Sequence, residues 1–154
     1  AEEFLSPKGV PLNEIRSVQN MIRCTGVYVD LDRIPFQSEL ERIIGYALGT
    51  ADLLGQMSAD DYIDKLPTLY AEFEESARFY EGKMAGLMTF ASAADLIRRT
   101  PDFWETYVLP KLHRDFWGLH RFLNHPYPEG PNFYFQKIEA NLARLRQQYP
   151  EPAH

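Results

Sequence analysis

The sequence predicts an all-α protein, and three observations carry that prediction. Apolar residues recur at helical spacing along most of the chain, and helix-capping residues punctuate it. Strand signals shrink to the short run Val27-Tyr28-Val29. At 154 residues the chain is long enough to bury most of its apolar surface in one domain. We expect a bundle of about five to six helices, with residues 15–79 followed by an aromatic-rich half over 92–149.

Each element follows from local pattern. Leu12, Ile15, Val18 and Ile22 fall on one helical stripe; Pro11 suits the first turn and Gly26 the stop. A turn-rich link through Asp30 to Pro35 leads to a helix over 38–57. Its apolar stripe is Leu40, Ile43, Ile44, Ala47, Ala51 and Leu54, which is expected to face the core. Ser58-Ala59-Asp60-Asp61 reads as a capping start for a helix carrying Tyr62, Ile63, Leu66, Leu69, Tyr70 and Phe73. Pro67 is expected to kink that helix or restart it. Ser92-Ala93-Ala94-Asp95 is a second capping start, and Thr100-Pro101 a third. The three prolines and one glycine of residues 124–132 make a loop before a last helix over 132–149, with Ile138, Leu142, Leu145 and Tyr149 on one face.

Composition narrows the function. Sixteen basic against 22 acidic residues give a net charge of −6, which disfavours non-specific nucleic-acid binding. The uncharged stretch from Met84 to Ala94 is too short to span a bilayer. The single cysteine, Cys24, excludes an internal disulfide and a Cys-based zinc cluster, and reads as a buried, inert thiol. With no secretory signal pattern at the start, the expected compartment is the cytosol. The first residues, Ala1-Glu2-Glu3-Phe4, lack an initiator Met, which suggests a trimmed chain or a piece of a longer one. No glycine-rich phosphate loop or nucleophile-elbow serine occurs.

The segment from Gly45 to Ser58, GYALGTADLLGQMS, is the most informative for chemistry. At ~100° per residue, Asp52 projects away from the apolar stripe, on a face shared with Gly45, Gly49 and Gln56, with Glu41 further back. Two interior glycines cost about 1 kcal/mol each relative to alanine, so they ask for a reason. Close approach of a helix or a ligand beside Asp52 is one; the other reading is that Glu41, Asp52 and Gln56 form a solvated face and the glycines simply allow helix packing.

Several short motifs occur in order: Met21-Ile22-Arg23-Cys24-Thr25, then Thr50-Ala51-Asp52-Leu53-Leu54-Gly55-Gln56-Met57-Ser58, then Tyr62 and Leu69-Tyr70-Ala71-Glu72-Phe73. Over residues 15–79 this series resembles the C-terminal half of HD-superfamily metal-dependent phosphohydrolases. The resemblance implies an all-α fold and a divalent metal held by a His, a His-Asp pair and a later Asp. Asp52 lies where that last Asp falls, so the resemblance makes it a metal ligand, with Gln56 and Glu41 as supporting or substrate-facing groups. It implies hydrolysis of a phosphomonoester or phosphodiester, on a phosphorylated small molecule or nucleotide. The chain departs from the pattern upstream of Asp52: it has no His-Asp dipeptide and no histidine before His113. One carboxylate cannot hold a catalytic ion, so this chain alone is expected to be inactive and to bind none there.

The histidines present offer no evident replacement. His113 and His120 stand seven apart, ~10 Å along a straight helix, too far to share an ion. With Phe116 and Trp117 they read as an aromatic packing stripe. Ten of the 21 aromatic residues lie between Pro101 and Phe135. That density points to a core or to a homodimer contact. The alternative to a phosphohydrolase portion is therefore a non-catalytic helical binding or dimerisation module.

Overall fold

The computed structural model describes residues 1–26, 29–79 and 90–150. Among them all regular structure is helical, apart from one isolated bridge between Asn124 and Asn132. The elements are α1 (Glu2–Leu5), α2 (Leu12–Arg23), α3 (Glu39–Ser58), α4 (Tyr62–Phe79), α5 (Ala93–Phe103) and α6 (Phe133–Gln148). The strand-like Val27 and Tyr28, and most of the uncharged stretch from Met84, lie outside the described residues.

Capping chemistry sets several boundaries. Ser38 Oγ accepts from the Glu41 amide and opens α3; Ser92 Oγ accepts from the Asp95 amide and opens α5. Asn132 Oδ1 accepts from the Tyr134 and Phe135 amides and opens α6. Ser58 does not cap α4 as expected. It closes α3, where its hydroxyl donates to the Gly55 carbonyl. Pro67 does not restart the helix, since it sits inside α4, and Pro101 opens no new helix, since it sits inside α5. Burial of Leu96, Ile97, Thr100, Trp104 and Val108 on one side of the continuous helical segment outweighs the lost amide of Pro101.

α2 and α3 run side by side in the same direction. Gln37 Nε2 donates to the Asn13 carbonyl, Ser17 and Asn20 reach Glu41, and Gly45 and Gly49 meet Cys24. α6 lies against both α3 and α5, and α4 packs on α5. Asn141 Nδ2 donates to the Met57 and Ala59 carbonyls, 2.9 Å each, which satisfies the end of α3. The core unites Cys24, Tyr46, Leu54, Met57, Leu66, Val108, Leu112, Phe116, Ile138, Leu142 and Leu145.

One expectation is reversed. The stripe Leu40, Ile43, Ile44, Ala47 and Ala51 faces solvent, with Leu48 beside it; Leu40 is 65% exposed, and only Leu54 of the expected set is buried. The buried side of α3 carries Glu41, Gly45, Gly49, Tyr46, Thr50 and Met57 instead. The reason is steric and polar together. Glycine at 45 and 49 lets α2 and Phe116 approach the helix backbone, and Glu41 finds donors there. Along α2 the same holds in part: Ile15 is buried, while Leu12 and Ile22 are exposed. Tyr149, just past the end of α6, is exposed.

Candidate functional site

Asp52 is half-buried and lies at the edge of the solvent-facing stripe, one turn after Leu48. Gln56 Nε2 donates to Asp52 Oδ1 at 3.0 Å, an i,i+4 pair that orients the carboxylate. Beside it Gly55 is open, since a Cβ there meets nothing within 4 Å. Asp52 and Gln56 are thus brought together as expected.

Glu41 is not part of that group. It sits eleven residues earlier on the same helix, about 16 Å away by helical rise. Only 6% exposed, it accepts from Asn20 Nδ2 (3.0 Å), the Gln37 amide (2.9 Å) and Ser17 Oγ (3.3 Å). Asn20 also donates to the Pro35 carbonyl at 3.0 Å. Glu41 is a structural acceptor that fastens α2 and the 31–38 link to the start of α3.

The two glycines do mark a close approach. A Cβ on Gly45 would lie 2.8 Å from Cys24 Sγ, and one on Gly49 2.5 Å from the Phe116 ring and 2.8 Å from the Cys24 carbonyl. The approaching group is α2 and a core aromatic, on the side of α3 facing away from the apolar stripe. Cys24 is buried as expected, and burial pushes its thiol up to about 11, which keeps it protonated and unreactive.

The histidines depart from expectation. Residues 104–108 and 111–115 are π-helical, and the chain then reverses at Trp117 (φ 54°) and Gly118 (φ 67°). A bulky residue in the left-handed region costs on the order of 1–3 kcal/mol. The reversal folds His120 back so that its ring centre lies 4.5 Å from that of His113, against ~10 Å on a straight helix. Burial and the neighbouring His113 hold the His120 ring below the usual histidine range, so it is neutral. Periodicity could not have shown this proximity, because it arises where the helix ends.

The Pro101–Phe135 aromatics divide between core and surface. Trp104 and Phe116 are buried, whereas Phe122 and Tyr127 form a stacked pair on the surface, 5.5 Å apart with planes at 9°. Phe133 is exposed as well.

No three His, Cys, Asp or Glu side chains group into a metal site among the described residues. Asp52 by itself therefore does not fit a divalent ion. The same residues include no helix long and apolar enough to cross a membrane.

Residues 10–123 match the model of the Npun_R2479-like family. The chain belongs to that family. No curated protein and no solved structure matches it. The Npun_R2479-like region runs from just before α2 through the turn that carries His120, and so includes Asp52, the α3 stripe and both facing histidines. It stops short of α6.

Proposed function

We propose that the chain is a docking half: the Leu40–Ala51 face of α3 receives an apolar helix, and Asp52 contributes its carboxylate to the site completed there. A single observation carries this reading. Four large aliphatic side chains at amphipathic spacing, Leu40, Ile43, Ile44 and Leu48, face water with an oriented carboxylate at their border. Contiguous exposed apolar faces of this kind mark interaction sites more often than idle surface.

The resemblance to HD-type phosphohydrolases gives the incoming helix its chemistry, a His and a His-Asp pair. A divalent ion held by those residues together with Asp52 would supply an activated water and would polarise a phosphoryl oxygen. This chain's own residues have narrower tasks. Asp52 offers an oxygen, Gln56 holds its rotamer, and the aliphatic stripe excludes water once covered. The substrate class in this reading is a phosphorylated small molecule or nucleotide, in a reducing compartment such as the cytosol. The chain alone is expected to be inactive.

The test compares this chain with the full product of its gene, measuring bound metal and hydrolysis of phosphomonoester and phosphodiester substrates. We expect activity only where the further ligands are present, and its loss in Asp52→Asn and in Ile44→Arg. Activity that survives Asp52→Asn removes the ligand role.

A second reading is favoured by the exposed Phe122–Tyr127 stack, which with Phe133 and Leu123 forms an aromatic surface suited to a second copy of the chain. A full gene product without metal or activity, whose self-association in sedimentation is lost in Phe122→Ser, supports this non-catalytic module instead.

A further inference from the structure

His120 is 4% exposed, and its surroundings are fixed from several sides. Asn132 Nδ2 donates to its carbonyl at 2.9 Å, and the Phe135 ring stacks on its imidazole at 5.1 Å with planes at 16°. The Leu112 carbonyl, which accepts from the Gly118 amide at 2.9 Å, lies beside the imidazole. The ring Nδ1 is buried and has no partner among the described residues. In the neutral tautomer protonated on Nε2, the lone pair is carried by Nδ1. That lone pair is a strong acceptor held without a donor, which buried polar atoms rarely tolerate.

A metal-binding histidine presents one bare ring nitrogen while packing and its surroundings fix the ring, as Phe135 and the Leu112 carbonyl do for His120. The His113 ring stands 4.5 Å away, nearly perpendicular at 81°, and its side chain is open to solvent. We propose that His113 and His120 together hold one transition-metal ion of the kind imidazole prefers, such as Zn²⁺ or Ni²⁺. Water fills the remaining positions, since no Cys, Asp or Glu joins the pair among the described residues. The backbone reversal at Trp117 and Gly118 builds the pair. This site is separate from Asp52 and does not depend on the docking reading.

The experiment titrates the chain with ZnCl₂ and NiCl₂ by calorimetry at neutral pH, and counts nitrogen ligands by electron paramagnetic resonance of the Cu²⁺ form. We expect one ion per chain and two equatorial nitrogens. His113→Ala, on an exposed side chain whose loss leaves the fold intact by thermal melting, should weaken binding at least about tenfold and remove one nitrogen. His125→Ala and His154→Ala should leave binding unchanged. Undetectable binding at millimolar metal overturns the proposal. So does affinity that is indifferent to His113→Ala, or that falls equally with His125→Ala, because the ion then sits elsewhere.

Discussion

Asn20 Nδ2 donates to Glu41 Oε1 across 3.0 Å, a side-chain bond between residues 21 positions apart that joins α2 to the first turn of α3. The same carboxylate accepts from Ser17 and from the Gln37 amide, so three donors depend on it. Glu41→Ala should therefore destabilise the fold by about 3 kcal/mol, because donors in a contact face lose their acceptor. Glu41→Gln keeps one acceptor oxygen and should cost roughly half of that. Chemical denaturation of both variants checks the order; equal and negligible losses would mean that water replaces the carboxylate.

The three α3 glycines give a contrast within one helix. Gly49→Ala pushes a methyl into the buried Phe116 ring and the Cys24 carbonyl. We expect a net loss of about 2 kcal/mol, since overpacking exceeds the gain in helix propensity. Gly55→Ala meets nothing and should stabilise by about 0.5–1 kcal/mol. Midpoint shifts of opposite sign in urea are the expected readout.

Much of this was legible in the sequence. The all-α class, the cap at Ser92, the residues 124–132 loop and the inward Ile138, Leu142 and Leu145 of the last helix all follow from local rules that act over a few residues. The orientation of α3 was not. A stripe at helical spacing shows that a helix has two faces, and the aliphatic one is the natural choice for the core. In α3 the opposite side packs inward, because Gly45 and Gly49 admit neighbours and Glu41 finds donors. Interior glycines signal a close approach, and α2 and Phe116 supply it, but that signal does not by itself say which face of the helix packs inward. The His113–His120 proximity was unreadable for another reason. It depends on a π-helical run and a left-handed reversal, which no periodicity encodes.

Acid should weaken the protein through His120. Its folded-state ring is held below the ordinary histidine range by burial and by His113. The unfolded chain thus binds the proton more readily, so stability is complete above the unfolded value, near ~6.5, and falls as pH drops through and below it. The slope for one proton reaches about 1.4 kcal/mol per pH unit. Thermal melts with chelator present should show this acid sensitivity in the wild type and lose it in His120→Gln.

Cys24 should resist thiol reagents in the folded state. Its thiol is buried and raised to about 11, so little thiolate forms at neutral pH. Labelling by a disulfide reagent should proceed only with denaturant, at the rate of unfolding. Rapid native labelling would contradict the close Cys24–Gly45 contact.

The exposure of the α3 face underlies the docking reading, and one stability measurement tests it most directly. Ile44 lies in the middle of that face, and Leu54 on the same helix is buried. In equilibrium denaturation of the dilute chain, Ile44→Arg should change the unfolding free energy by no more than about 0.5 kcal/mol, as at an open surface. Leu54→Ala should cost about 2–5 kcal/mol. An Ile44→Arg chain that loses as much as Leu54→Ala would place the stripe in the core and contradict the account.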